Sequence, residues 1–132
     1  MTDPISDMLT RMRNAQMVGH LNIEIPFSKN KFALAKILAK QGFLKNVDKL
    51  GKGNKRIITI ELLYTDAKKT SPKITQIKRI SKSGKREYVK SKDIRPVLGG
   101  RGISVISTSE GLMTDAEAKK KNLGGEVICE IW

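Results

Sequence analysis

Three short hydroxyl side chains in a row, Ser107-Thr108-Ser109, stand between an apolar run, Ile103 to Ile106, and the pair Glu110-Gly111. Hydroxyls at a strand end donate and accept at little entropic cost, which suits base edges and sugar hydroxyls of an irregular RNA. On the residues alone, a serine-threonine turn that satisfies its own backbone is the stronger reading. Glu126 follows Gly124-Gly125. A carboxylate there is repelled by phosphate but can accept from base amino groups. Ser81-Lys82-Ser83-Gly84-Lys85-Arg86 offers hydroxyls, cations and a permissive backbone in one turn, a chemistry suited to phosphate. The alternative is a solvated loop. Tyr88, two residues on, either stacks on a base or sits half-buried in a strand.

Catalytic chemistry finds little support. His20 is the only histidine and lies among loop-like residues. Cys129 alternates with Val127 and Ile131, the pattern of a small core residue. Gly51-Lys52-Gly53 lacks the spacing and the Lys-Ser/Thr ending of a phosphate loop. The carboxylates are scattered. The chain therefore reads as no enzyme, with no metal and no cofactor.

The charge balance points to a polyanionic partner. Lys and Arg number 26 against 13 Asp and Glu, for a net charge of +13 in 132 residues. Such an excess repels itself unless a polyanion is near, and nucleic acid is the usual one. The excess is uneven. Residues 103–132 hold three basic and five acidic side chains, while residues 68–101 hold twelve basic and two acidic. Hydrophobic residues make up 39%, enough for a core. A chain of this length buries roughly two-thirds of its unfolded surface. No run approaches the ~18 apolar residues of a membrane-spanning helix. No signal peptide is expected from Met1-Thr2-Asp3-Pro4. One cysteine makes no internal disulfide, so a reducing interior, cytoplasm or organelle, is the expected home.

The elements that must position these groups follow from periodicity and caps. Asp3-Pro4 opens a helix carrying Ile5, Met8, Leu9 and Met12 on one stripe, with a stop at Gly19. A short strand follows at Asn22 to Pro26. Ser28 caps a second helix to Gly42, with Phe32, Ala35, Leu38 and Ala39 inward. Strands at Leu44 to Leu50 and Arg56 to Tyr64 are joined by the turn Gly51 to Asn54. This is an N-terminal α/β lobe over residues 1–65. Residues 66–73, polar and containing Ser71-Pro72, read as a linker. Residues 74–132 read as a mostly-β lobe. Its strands are Ile74 to Ile80, Arg86 to Val89, Ile103 to Ile106 and Glu126 to Trp132. A helical turn falls within Lys92 to Val97. Thr114-Asp115-Ala116-Glu117 opens a short helix as a capping box. The class is α+β in two small lobes.

Longer strings carry a resemblance. Gly102 to Ser109 with Gly111, Met113-Thr114-Asp115 and Glu117-Ala118 is similar to the C-terminal signature of the small-subunit ribosomal protein eight family, bacterial type. The ending Gly124-Gly125-Glu126-Val127-Ile128-Cys129 with Ile131-Trp132 resembles it too. So do Asp3-Pro4-Ile5 with Asp7 to Arg11 and Arg13 to Ala15, and Arg79 to Lys82 with Gly84. The resemblance spans nearly the whole chain and is weakest over residues 44–73. It implies direct binding to an internal-loop region in the central domain of small-subunit ribosomal RNA, early in assembly, beside neighbouring small-subunit ribosomal proteins. Many bacterial members also repress their own messenger RNA. By resemblance, Ser107, Thr108 and Ser109 are the base-reading motif. Glu126, Tyr88, Gly124 and Gly125 belong to the same RNA-binding set, with Lys85 and Arg86 as basic contacts. Thr2, Asp3 and Pro4, with Lys29 and Lys31, resemble a second, phosphate-facing region. The chain departs from the family at Ser83, where proline is common, at Glu110, where a basic residue is frequent, and at Gly99-Gly100-Arg101-Gly102.

Two other function classes fit less well. A small nuclease needs a clustered general base or metal ligands. A membrane-surface module needs a basic amphipathic helix, and the first helix has only Arg11 and Arg13 as cations. No membrane partner is expected.

Overall fold

The computed structural model describes residues 3–132, so Thr2, expected at the phosphate-facing helix start, lies outside the described residues. The chain divides into two compact units, Met1–Ile74 and Thr75–Trp132. Helices are joined by two antiparallel sheets, the second in a β-rich C-terminal part with one short helix.

In the first unit, helix α1 spans Pro4–Met17. The Asp3 carboxylate accepts from the N–H groups of Ile5 and Ser6, both at 3.1 Å, and Pro4 takes the position that has no use for an N–H. Met8, Leu9, Met12 and Ala15 are buried along its inner stripe. Strand β1 is Asn22–Pro26, and helix α2 is Lys29–Lys40, capped by Ser28 Oγ accepting from Lys31 N–H at 3.2 Å. The inner face of α2 is Lys31, Leu34, Ala35 and Leu38, which corrects the expected Phe32 and Ala39. Leu34 is fully buried, whereas Phe32 turns aside to meet Phe27, with ring centroids 5.8 Å apart. Strands β2 (Leu44–Leu50) and β3 (Ile57–Leu62) complete a sheet in the order β1-β3-β2. Ile58, Ile60 and Leu62 alternate inward from its centre, as period two requires. In the stretch 66–73, the Asp66 carboxylate accepts from the N–H groups of Thr70 and Ser71, and Lys73 N–H donates to Leu63 O at 2.9 Å.

The second unit is built on one strand. Its elements are β4 (Ile77–Arg79), β5 (Tyr88–Val89), β6 (Ile103–Thr108), β7 (Gly111–Thr114), α3 (Asp115–Lys120) and β8 (Gly125–Ile131). β8 pairs with β6 along one edge, and with β5 and β4 in succession along the other. β7 extends the sheet beyond β6. A bulge breaks the β6–β8 ladder: Val105 faces Cys129, but Ile106 faces Val127, so Ile128 is the extra residue. Ile94, Ile106, Met113 and Ala118 form a core cluster, with Val89 and Leu123 packed on it. Cys129 is fully buried, and burial pushes its thiol up to about 12, so it stays protonated and inert.

Several boundaries differ from the sequence reading. β4 is shorter than Ile74 to Ile80, because Thr75 and Gln76 N–H groups both converge on Trp132 O at 2.7 and 2.9 Å. β6 runs on to Thr108, placing two of the three hydroxyls inside the strand. β7 went unread: four residues ending at a helix cap leave too little alternation to show. The helical turn is a 3-10 turn at Ser91–Asp93, ahead of the expected place.

Gly124 and Gly125 are required by proximity. A Cβ on Gly125 would lie 2.1 Å from Ser107 O, and one on Gly124 would lie 2.5 Å from Val89 O. Backbone cannot yield as a flexible side chain does. Gly125→Ala should destabilise the protein by about 2 kcal/mol or more through overpacking. Urea unfolding of the wild type and the variant checks this, and equal midpoints would contradict it.

Candidate nucleic-acid interface

Pairing across β8 gathers the expected contact residues into one row. Glu126 faces Tyr88 of β5 on one side and Ser107 of β6 on the other, and Ser107 in turn faces Leu112 of β7. Residues directly opposite in an antiparallel ladder share a face, with strands about 4.8 Å apart. Tyr88, Glu126 and Ser107 thus form a strip across three strands, drawn from sequence positions far apart. Tyr88 is 71% exposed, so its ring is open to stacking rather than half-buried.

The three hydroxyls do different things. Thr108 Oγ1 accepts from Glu110 N–H at 3.1 Å and donates to Gly111 O at 2.8 Å. It closes the two-residue hairpin at Ser109 and Glu110, the self-satisfying turn that the sequence left open. Ser107 and Ser109 have no side-chain hydrogen bond among the described residues, and Ser109 is exposed. Glu110 pairs with Lys121 at 3.8 Å.

Glu126 is held from behind. Its Oε2 accepts from Ser81 Oγ and from Arg86 Nη1, the latter at 3.0 Å. The Ser81 hydroxyl lowers the Glu126 pKa most, and the Arg86 guanidinium, with Arg79, lowers it further against the opposing effect of burial. Arg86, expected as a phosphate contact, is therefore shared with Glu126, although it remains exposed. Arg79 Nη1 donates to Ile128 O at 2.6 Å. Lys85 is well exposed and lies 3.7 Å from Glu87. From the sequence Ser81 reads as one more turn hydroxyl. Its burial comes from Glu126, 45 residues away, and no local signal announces it.

Gly124 and Gly125 let the strands close up around this row, and the contacts they make are backbone ones. The N-terminal set is mixed. Pro4 and Lys29 are exposed, and Asp3 is committed to its helix cap. Lys31 is only 7% exposed and lines a hollow with Asp3, Pro4 and Asp7, so Lys29 is the cation better placed for phosphate. His20 is exposed, and its backbone carbonyl accepts from the Tyr64 hydroxyl at 2.6 Å. Among the described residues, no three His, Cys, Asp or Glu side chains gather as a metal site would need.

Comparison with known proteins gives a consistent set of likenesses. A family model described as ribosomal protein S8 matches residues 3–132. The chain is 53% identical to small ribosomal subunit protein uS8 of Caldanaerobacter subterraneus subsp. tengcongensis, over all of this chain and 98% of that protein. It is 52% identical to the protein of the same name from Syntrophomonas wolfei subsp. wolfei, over the same shares. It is 49% identical to that of Clostridioides difficile, again over all of this chain and 98% of the relative.

The Glu126 carboxylate is more acidic folded than unfolded. Its stabilisation is therefore complete above its ordinary value of 4.5 and is lost as pH falls through the lower folded value. Glu126→Gln should cost more stability at pH 7 than in acid well below 4.5. Urea unfolding at both pH values checks this, and an equal loss at both would refute it.

Proposed function

The chain belongs to the ribosomal protein S8 family, and from that premise we propose that this constituent of the small ribosomal subunit binds the central domain of small-subunit ribosomal RNA directly and helps it assemble. The observation that carries the proposal is the row Tyr88–Glu126–Ser107 across the sheet. It sets an aromatic face, an ionised acceptor and a free hydroxyl side by side on one surface. Stacking, acceptance from an amino group and contact with a sugar or base edge are the three demands of a splayed, single-stranded loop.

Affinity and choice are divided between sections of the chain. The basic turn Lys82–Lys85, with Arg86 and with Lys29 of the first unit, contacts phosphate. Residues 103–132 carry more acid than base and supply selectivity. In this reading Ser107 and Ser109 touch RNA, while Thr108 acts by shaping the hairpin that presents them. Gly124 and Gly125 serve the RNA contact by letting the neighbouring strands close up on the row. The role is that of a binding constituent, not an enzyme, with neighbouring small-subunit proteins as its other partners. An RNA that repeats the same loop, including the protein's own messenger RNA, would be held by the same surface, the requirement for self-repression.

Filter binding to a central-domain RNA fragment tests the proposal. Affinity should fall steeply with salt, and Lys85→Ala should reduce the salt slope by about one. Tyr88→Ala should cost about 1–3 kcal/mol of binding. Ser107→Ala and Ser109→Ala should weaken the cognate loop while leaving a scrambled RNA bound as before. Wild-type affinity in all three of these last variants would remove the row as the recognition surface.

A further inference from the structure

We infer that Ser81 is a positioning residue for RNA recognition: its hydroxyl dictates which oxygen of Glu126 is offered outward and ties that oxygen to the basic turn. The inference rests on the RNA-binding reading above.

Ser81 is fully buried, so its hydroxyl acts through its protein neighbours. Its Oγ accepts from Glu87 N–H at 3.2 Å. That bond leaves the hydroxyl proton to point elsewhere, and it points to Glu126 Oε2. Arg86 Nη1 donates to the same oxygen. A carboxylate oxygen has two accepting sites, so both sites of Oε2 are filled. Oε1 receives neither bond, and the residue stands between the exposed Tyr88 and the half-buried Ser107. The side chain therefore presents one oxygen that only accepts. Such an oxygen takes an exocyclic amino group or a 2′-hydroxyl, and refuses a base carbonyl or a phosphate. An untethered glutamate would spread over several rotamers and lose that freedom on binding.

The backbone makes the same connection. Ser81 N–H donates to Val127 O at 3.1 Å, and Val127 N–H donates to Glu87 O at 2.9 Å. Both ends of the turn are thus bonded to the residue next to Glu126. The turn itself is closed by reciprocal bonds between Lys82 and Lys85, each 2.9 Å. Phosphate-facing cations and the base-facing oxygen are consequently held in one register. Ser81 also supplies the largest influence keeping Glu126 acidic, so its loss would let Glu126 protonate at higher pH.

A double-mutant cycle on the full chain tests this, using the central-domain RNA fragment and a scrambled RNA. Ser81→Ala should weaken the cognate RNA roughly tenfold, the scale of one charge-assisted hydrogen bond. Binding to the scrambled RNA and the salt slope should not move, and the acid limb of cognate binding should shift to higher pH. In a Glu126→Ala background, which leaves no oxygen to tether, Ser81→Ala should add nothing, and Ser81→Thr in the otherwise native chain should keep part of the binding. If Ser81→Ala fails to fold, Ser81→Cys keeps the volume with a weaker donor and should show the same loss. Wild-type affinity in natively folded Ser81→Ala or Ser81→Cys, or losses that simply add with Glu126→Ala, would overturn the inference. Full affinity in Glu126→Ala alone would instead defeat the RNA-reading role of Glu126. A loss there with a silent Ser81→Ala defeats only the Ser81 assignment.

Discussion

Strand β8 has hydrogen-bonded neighbours along both edges, and the second unit depends on how closely they come at Gly124 and Gly125. No side chain fits between these glycines and the carbonyls of Val89 and Ser107. The approach sets the pairing of Glu126 with Tyr88 and Ser107. It also places the ends of the basic turn beside Val127, where backbone bonds fix them. A polar row assembled from three chain segments thus rests on two residues that have no side chain.

Electrostatics and geometry then separate cleanly. Residues 1–102 carry a net +15 and the last thirty a net −2, so long-range attraction comes from the first section and, in the proposed reading, most of the short-range choice from the second. Screening acts on the first and hardly on the second. Glu126 illustrates the second kind. A bare carboxylate on a cationic protein would be drawn to the nearest lysine or arginine. Here Ser81 and Arg86 both bond one oxygen and leave the other with neither bond. In the proposed reading the negative charge is thereby kept for a donor and off the phosphates.

Much of this architecture was legible in the residues, because local rules and tertiary packing agree. Asp3-Pro4 and Ser28 cap their helices as their chemistry demands, and the alternation of β3 shows its buried face directly. Thr114 caps α3 as the capping box suggests. What stayed hidden depends on distant partners. Phe32 looks like core until Phe27 draws it aside, and the inner face falls to Leu34. Lys31 looks like a free cation until its helix turns it inward. The hydroxyl triplet shows its composition in the sequence, but the hairpin that uses Thr108 and frees Ser107 and Ser109 depends on β7, too short to read. Gly124-Gly125 signals an unusual backbone and not which strands press on it.

The bulge at Ile128 gives β8 an arithmetic property. Along a regular strand, residues an odd number apart lie on opposite faces. Glu126 and Cys129 are three apart, yet both share the face of Val105 and Ser107, because one residue between them goes uncounted. Substitution at positions 127 or 128 alters a side chain and leaves that parity alone. Loss or gain of one residue there would reverse it, sending the carboxylate to the side of Ile106 and Met113 or turning Cys129 out of its burial. The strand therefore tolerates changes of spelling more readily than changes of length.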